Sequence, residues 1–132
     1  MNRANIKNVQ YIGEMEKLLQ HENKFDWIAL DPPSTMTGLL RKVPDMKIRY
    51  NKKELSRKLE LQKSMLSAAN KFLKKGGKLV YSTSSLLEEE NLLQAVQFCK
   101  EYKYDIYEGK HFQTFPDSDG MDGYFSVTLQ KK

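Results

Sequence analysis

Residues Phe25 to Leu30 (FDWIAL) form a nearly continuous apolar run that stops abruptly at Asp31-Pro32-Pro33. A short run of this kind is expected of a strand buried on both faces, and two consecutive prolines bar any further ladder bonding. Such a strand needs neighbours in a sheet and apolar elements above and below it. That requirement excludes an all-helical fold and points to a layered α/β arrangement.

The rest of the chain supplies the layers. Lys53 to Phe72 reads as a helix, with Leu55, Leu59, Leu66, Ala69 and Leu73 at three- and four-residue spacing on one face. Met65, Ala68 and Phe72 are core residues at the same spacing. Gly76-Gly77 is expected to end this helix, before a second buried strand at Lys78 to Ser82. Ser85-Leu86-Leu87-Glu88 has capping-box spacing ahead of another helix, on which Leu92, Val96 and Cys99 share a face. Glu88, Glu89 and Glu90 would form its acidic first turn, as the helix dipole favours. Strands are expected at Tyr104 to Tyr107 and Tyr124 to Gln130, and a short β-prone run at Asn8 to Ile12. Residues 34 to 52 read as a long polar loop. The element order predicts a mostly parallel sheet with a terminal antiparallel pair, and ligands in such sheets sit at the carboxyl ends of strands. Those ends are Asp31-Pro32-Pro33-Ser34 and Ser82-Thr83-Ser84-Ser85.

Few side chains there carry obvious chemistry. Asp31 can accept hydrogen bonds from an amine or ring nitrogen on a backbone stiffened by prolines, or it can simply cap a turn. Ser84 as a nucleophile would need a base, and no histidine lies near it in sequence, so the hydroxyl run reads more simply as satisfying strand-end amides. The chain has one cysteine, Cys99, which reads as a core residue, and two histidines, His21 and His111, so internal disulfides and cysteine-rich zinc sites are excluded. Asp117, Asp119 and Asp122 lack the spacing of a calcium loop and read as a turn.

Charge is more informative. The 132-residue chain carries a formal +5, yet the segment from Arg41 to Lys63 alone holds nine Lys or Arg against Asp45, Glu54 and Glu60. Tyr50 lies among them and can stack on a base. Clustered Arg41, Lys42, Lys47, Arg49, Lys52 and Lys53 beside a strand-end cleft form either a solvated charged face or the electrostatic footprint of a phosphate backbone, which makes a nucleic acid the candidate partner. The chain has no apolar run long enough for a membrane span and no signal-peptide pattern, and an intracellular location is expected.

The ordered motifs are Asp31-Pro32-Pro33-Ser34-Thr35-Met36-Thr37-Gly38, Arg41-Lys42-Val43-Pro44-Asp45, Leu61-Gln62, Gly76-Gly77, Val80-Tyr81-Ser82-Thr83-Ser84-Ser85, Glu89-Glu90-Asn91 and Asp122-Gly123-Tyr124-Phe125. This set resembles the Sun (Nol/Nop/Sun) family of RNA cytosine-5 methyltransferases across essentially the whole chain; Arg3 to Val9 resembles the segment after that family's second strand. The resemblance implies a Rossmann-like methyltransferase sandwich, with residues 1–132 forming the C-terminal part of a class I methyltransferase domain. It implies S-adenosylmethionine as cofactor, met by Glu14, Asp31 and Pro33, and an RNA substrate such as rRNA or tRNA. The family's catalytic thiolate adds to C6 of a flipped-out cytosine, and a second cysteine assists product release. The family places the catalytic cysteine where this chain has Ser84, and the assisting cysteine where it has Ser34.

A serine hydroxyl supplies far less anion than a thiol with pKa near ~8.5, so the resemblance implies an inactive chain, either a non-catalytic relative or one with introduced serines. The alternative function is a non-catalytic RNA-binding or assembly module. An adenine-directed amino-methyltransferase reading of Asp-Pro-Pro-Ser is disfavoured because Ser34 cannot stack a base. The family's glycine-rich cofactor loop and first two strands have no counterpart, which implies an incomplete sheet. Its open edge beside Trp27 to Leu30 implies that the chain is a fragment, or that a partner chain or a second copy covers the edge. Cytoplasm, nucleolus and mitochondrion are all compatible with the family.

Overall fold

The computed structural model describes residues 8–9, 11–13, 15–118 and 120–132. Its elements, in chain order, are α1 (Met15–Leu19), β1 (Phe25–Leu30), a 3-10 turn (Thr37–Leu39), α2 (Met46–Arg49), α3 (Lys52–Phe72), β2 (Leu73–Thr83), α4 (Leu92–Tyr102), β3 (Tyr104–Thr114) and β4 (Tyr124–Lys131). The described strands form one sheet in the order β1-β2-β4-β3.

The fold class is α/β, but the sheet is mixed rather than mostly parallel. β1 and β2 are parallel, while β4 is antiparallel to both β2 and β3. The terminal antiparallel pair is present; what differs is that β4 returns from β3 into the slot beside β2, so two of the three ladders are antiparallel. Asn8 to Ile12 forms no strand in its described residues.

α3 and α4 pack together on one face of the sheet, and Leu66, Ala69, Leu79, Tyr81, Phe98 and Leu129 are buried between the layers. β4 shows the one-sided pattern plainly: Phe125, Val127 and Leu129 are buried, while Ser126 and Thr128 between them are half-exposed. β1 lies at the sheet edge, as expected for Trp27 to Leu30, but it is not buried on both faces. Phe25, Ile28 and Leu30 are half-buried, and Trp27 is 59% exposed. Lys78 Nζ lies over the Trp27 ring at 5.0 Å and over the Tyr107 ring at 3.5 Å.

The long helix begins where a capping residue begins it. Asn51 is extended, and its side chain accepts the Glu54 amide at 2.9 Å, which satisfies one of the orphan donors of the first turn. Its other end does not use the glycines. The chain passes from Phe72 directly into β2 at Leu73, so Leu73 belongs to the strand. The last carbonyls of α3 are met from elsewhere: Asn23 and Lys24 amides donate to Lys71 and Phe72, and Lys131 Nζ donates to the carbonyls of Asn70 and Leu73 at 2.7 and 2.9 Å. A lysine there also complements the helix dipole. Gly76-Gly77 instead forms an irregularity in β2, where the register against β1 jumps from Phe25–Leu73 to Trp27–Lys78 and Gly76 adopts a φ of 77°. Glycine is suited to that left-handed backbone because it has no Cβ.

The second helix start also differs. Ser85 Oγ accepts the Leu87 amide rather than capping a helix, and α4 begins only at Leu92 after a turn over Glu88 to Asn91. Glu88, Glu89 and Glu90 therefore precede the helix instead of forming its first turn. The polar segment 34–52 is not all loop, since it holds the 3-10 turn and α2. No described helix is long and apolar enough to cross a membrane.

Candidate active site at the strand ends

Parallel pairing of β1 with β2, in register at Leu30 and Tyr81, brings the two strand ends side by side. Asp31 leaves β1 exposed, with no ion pair or side-chain hydrogen bond among the described residues. Pro32 is buried and Pro33 exposed, while Ser34 and Thr35 turn inward and are only 7% and 4% exposed. Ser34 Oγ accepts the Met36 amide at 3.3 Å. Ser84 is half-buried at the end of β2, and its carbonyl accepts the Gly38 amide at 3.0 Å.

The two loops are laced together. Thr37 Oγ1 lies 3.2 Å from Ser85 Oγ and accepts the Leu86 amide at 2.9 Å, and Thr35 Oγ1 lies 3.4 Å from Ser85 Oγ. A third loop joins them, because the Gly123 amide donates to the Gly38 carbonyl at 2.9 Å. The backbones meet so closely that a Cβ on Gly38 would sit 2.1 Å from the Gly123 carbonyl oxygen. That close approach is what the glycines at positions 38 and 123 permit.

Beneath the loops lies a polar cluster that sequence reasoning missed. Glu90 is fully buried, and its carboxylate accepts hydrogen bonds from the Thr35 amide, the Thr35 hydroxyl and Gln62 Nε2. Tyr81 donates its hydroxyl to the Glu90 carbonyl at 2.6 Å. Burial, reinforced by the neighbouring Glu90 charge, raises the Tyr81 phenol well above its ordinary value, so it stays a donor. Asn91 donates to the Ser85 carbonyl at 2.8 Å and accepts from the Thr83 hydroxyl. No buried side-chain polar atom lacks a partner among the described residues. Gln62 carried a usable signal: it sits three residues after Leu59 and four before Leu66, on the apolar face of α3, where a polar residue must be satisfied internally.

A cleft of about 460 Å³ opens beside Ser34 and is lined also by Met36, Met46, Arg49, Tyr50 and Lys58. The candidate RNA residues divide into two groups around it. Arg41 and Lys42 both pair with Asp122, and Arg41 donates to the Gly120 carbonyl, so these two tie the basic segment to the loop before β4. The cations, Lys42 first, hold the Asp122 carboxyl below its usual range. Lys47, Arg49, Lys52 and Lys53 are exposed and make no salt bridge among the described residues. Glu54 is held low chiefly by Arg57, which binds it through two nitrogens. Glu14, the remaining cofactor candidate, lies outside the described residues, as does Asp119.

No histidine or carboxylate hydrogen-bonds the Ser84 hydroxyl among the described residues. His21 stacks on Phe25 at the start of β1, and His111 packs on Phe125. Cys99 is half-buried against the core, and burial pushes its thiol up to about 11, which leaves it protonated at neutral pH. No group of three or more His, Cys, Asp or Glu suited to a metal ion converges among the described residues.

Comparison with known proteins agrees with the motif order. The model of the 16S rRNA methyltransferase RsmB/F family matches residues 1–130. Ribosomal RNA small subunit methyltransferase B of Proteus mirabilis is 36% identical over 109 residues, which cover 83% of this chain and 26% of that protein. The protein of the same name from Escherichia coli O1:K1 is 37% identical over 119 residues, covering 84% of this chain and 27% of its own length. The chain thus spans about a quarter of these relatives. Among solved structures, that of NSun6 from Pyrococcus horikoshii with SFG superposes with a TM-score of 0.77 at 25% identity, over 98% of this chain and 36% of that one. The structure of PH0851 gives a TM-score of 0.79 at 26% identity, over 83% and 27%.

Proposed function

Since the chain belongs to the 16S rRNA methyltransferase RsmB/F family, we propose that its strand-end site is of the RNA (cytosine-5) methyltransferase type and faces rRNA or tRNA. One observation carries this reading. The loop bearing Ser34 and the loop bearing Ser84 are laced side by side, and the cleft beside Ser34 is walled by Arg49 and Tyr50 together with the Glu54–Lys58 ion pair. A flipped base needs a pocket next to groups that hold the flanking phosphates, and an aromatic ring at the rim suits an unstacked neighbour.

In this reading Ser84 stands at the nucleophile position, Ser34 at the second cysteine position, and Asp31 faces the reacting base. Lys47, Arg49, Lys52 and Lys53 hold RNA phosphates, and Arg41 and Lys42 serve the same surface while anchored to Asp122. S-adenosylmethionine is the methyl donor that family membership implies, and Asp31 and Pro33 are the described residues that would meet it, with Glu14 beside them. The free, exposed carboxylate of Asp31 suits a hydrogen-bond donor on such a ligand. The described residues offer no glycine-rich loop for its remaining parts. They fit it only in part.

What the chain's own residues do follows from the hydroxyl. Ser84 has no hydrogen-bonded base, so at neutral pH it supplies almost no alkoxide, and attack on a pyrimidine ring is not within its reach. The chain as written therefore binds RNA without transferring a methyl group. This observation favours the second reading, a non-catalytic RNA-binding or assembly module built on the methyltransferase fold. An intracellular location accords with either. We further propose that the β1 edge, beside an apolar groove formed by Phe25, Ile28, Leu30, Met65 and Phe72, is covered by a partner chain or a second copy.

The test is RNA binding across a salt series together with a methyl-transfer assay. Saturable binding whose log affinity falls by about 0.7 per phosphate contact per log unit of salt, without 5-methylcytosine, is the expected result. Salt-independent or absent binding would sink the RNA-facing reading, and 5-methylcytosine formation would overturn the inactive assignment. The isolated chain should associate or be poorly stable; a monodisperse, cooperatively melting monomer would count against the covered edge.

A further inference from the structure

We infer that Glu90 and Asn91 form a positioning device that sets the separation of the Ser34 and Ser84 positions. Each of these serines is bracketed, and the brackets come from adjacent residues of one turn. The residues on either side of Ser34 are held through Glu90: its carboxylate takes the amide and hydroxyl of Thr35, and Gln62 bridges it to the Pro33 carbonyl at 3.2 Å. The residues on either side of Ser84 are held through Asn91, which takes the Thr83 hydroxyl and donates to the Ser85 carbonyl. Neither bracket touches the serine side chains.

The turn that carries both brackets is itself fixed. Tyr81 donates to the Glu90 carbonyl from the middle of the sheet, and the Glu90 and Asn91 amides donate to the Leu87 and Glu88 carbonyls at 3.1 Å. Burial argues that packing alone does not explain this pair. Both residues are at most 1% exposed, and Glu90 has no cationic partner among the described residues. A carboxylate is a costly way to fill space, and it is stable here only because its oxygens meet three donors. Those donors belong to the Ser34 loop and to the residue that grips its other side. The device rests on the proposed site reading, since it matters functionally only if positions 34 and 84 act on one substrate.

Amide exchange tests it without cofactor or RNA, so it can fail independently of that reading. The Gly38 amide, bonded to the Ser84 carbonyl, and the Leu86 amide, bonded to Thr37, cross between the two loops. Glu90→Ala should speed exchange at both by about tenfold or more, with β2 and β4 amides changed by less than about twofold. Asn91→Ala should do the same at Gly38. Glu90→Gln should restore slow exchange, because its oxygen can accept from Thr35 and Gln62 while its amide donates to the Thr35 hydroxyl. Should Glu90→Ala not fold, Thr35→Val decides by the same selective acceleration. Uniform acceleration of loops and sheet, no acceleration at either amide, or a Glu90→Gln variant as fast as Glu90→Ala would each overturn the proposal.

Discussion

The turn at Glu88 to Asn91 and the segment from Met46 to Lys53 both border the strand-end loop, and they are built in opposite ways. The turn buries the Glu90 carboxylate and the Asn91 amide and meets both with protein partners. The basic segment leaves Lys47, Arg49, Lys52 and Lys53 in solvent with no internal ion pair among the described residues. Buried polar groups in a low-dielectric interior fix geometry, because each lost contact leaves a group unsatisfied. Exposed cations fix almost nothing internally and are available to an anionic partner. One region thus fixes geometry, and the other leaves its charges open to solvent.

Substitutions should separate the two regions. The largest effect is expected where backbones touch. Gly38→Ala places a Cβ against the Gly123 carbonyl, and we expect a loss of about 3 kcal/mol or more in chemical denaturation, whereas Lys53→Ala should stay within about 0.5 kcal/mol. Equal stability of Gly38→Ala and the parent would mean that the three loops are not clasped as described.

Next comes affinity. Replacing Lys47, Arg49, Lys52 and Lys53 together by Gln should weaken RNA binding by at least about tenfold at low salt and flatten its salt dependence, with little change in melting temperature. An unchanged salt slope would move the RNA surface elsewhere. Thiol chemistry then sharpens the contrast between core and site. Cys99, with its thiol pushed up to about 11, should alkylate slowly at pH 8, and Ser84→Cys should add a second thiol that reacts faster. If the added thiol reacts no faster than Cys99, the mouth of the site is more occluded than its half-buried serine indicates.

The smallest effect is acid sensitivity at the Asp122 clasp. Lys42 and Arg41 lower the Asp122 carboxyl, so the folded chain binds this proton less readily than the unfolded one. Its contribution is present above the ordinary carboxylate range and is lost as pH falls through the lowered value. Asp122→Asn should therefore reduce stability slightly at neutral pH and converge with the parent in acid. A difference that grows on acidification would reverse the sign and refute the clasp.

Much of this could be read from the chain, and the failures have physical causes. The run Phe25–Leu30 announced its strand because two prolines stop a short apolar segment, and α3 announced itself because burial of one face imposes a period that survives without knowledge of neighbours. Gly76-Gly77 misled because glycine serves both helix ends and strand irregularities, and the carbonyls it was expected to cap are taken by Lys131, sixty residues away in sequence. Glu90 misled for a similar reason. Three consecutive glutamates suit a helix dipole, and nothing local distinguishes the one that turns inward to Thr35. The meeting of the two strand ends was legible, since parallel strands joined by a helix bring their carboxyl ends together. The interior beneath them was not.

By itself, then, the sequence determined the long helices and the sheet strands, their order, and through the ordered motifs the family. Those depend on local periodicity, on prolines that stop a strand, and on residue types at fixed spacing. Only the tertiary structure decided that β4 enters between β2 and β3, that Arg41 and Lys42 meet Asp122, and that Glu90 and Asn91 bracket two serines from one turn. Each of these joins residues whose pairing is selected by what else must be buried beside them, and burial is a property of the assembled layers.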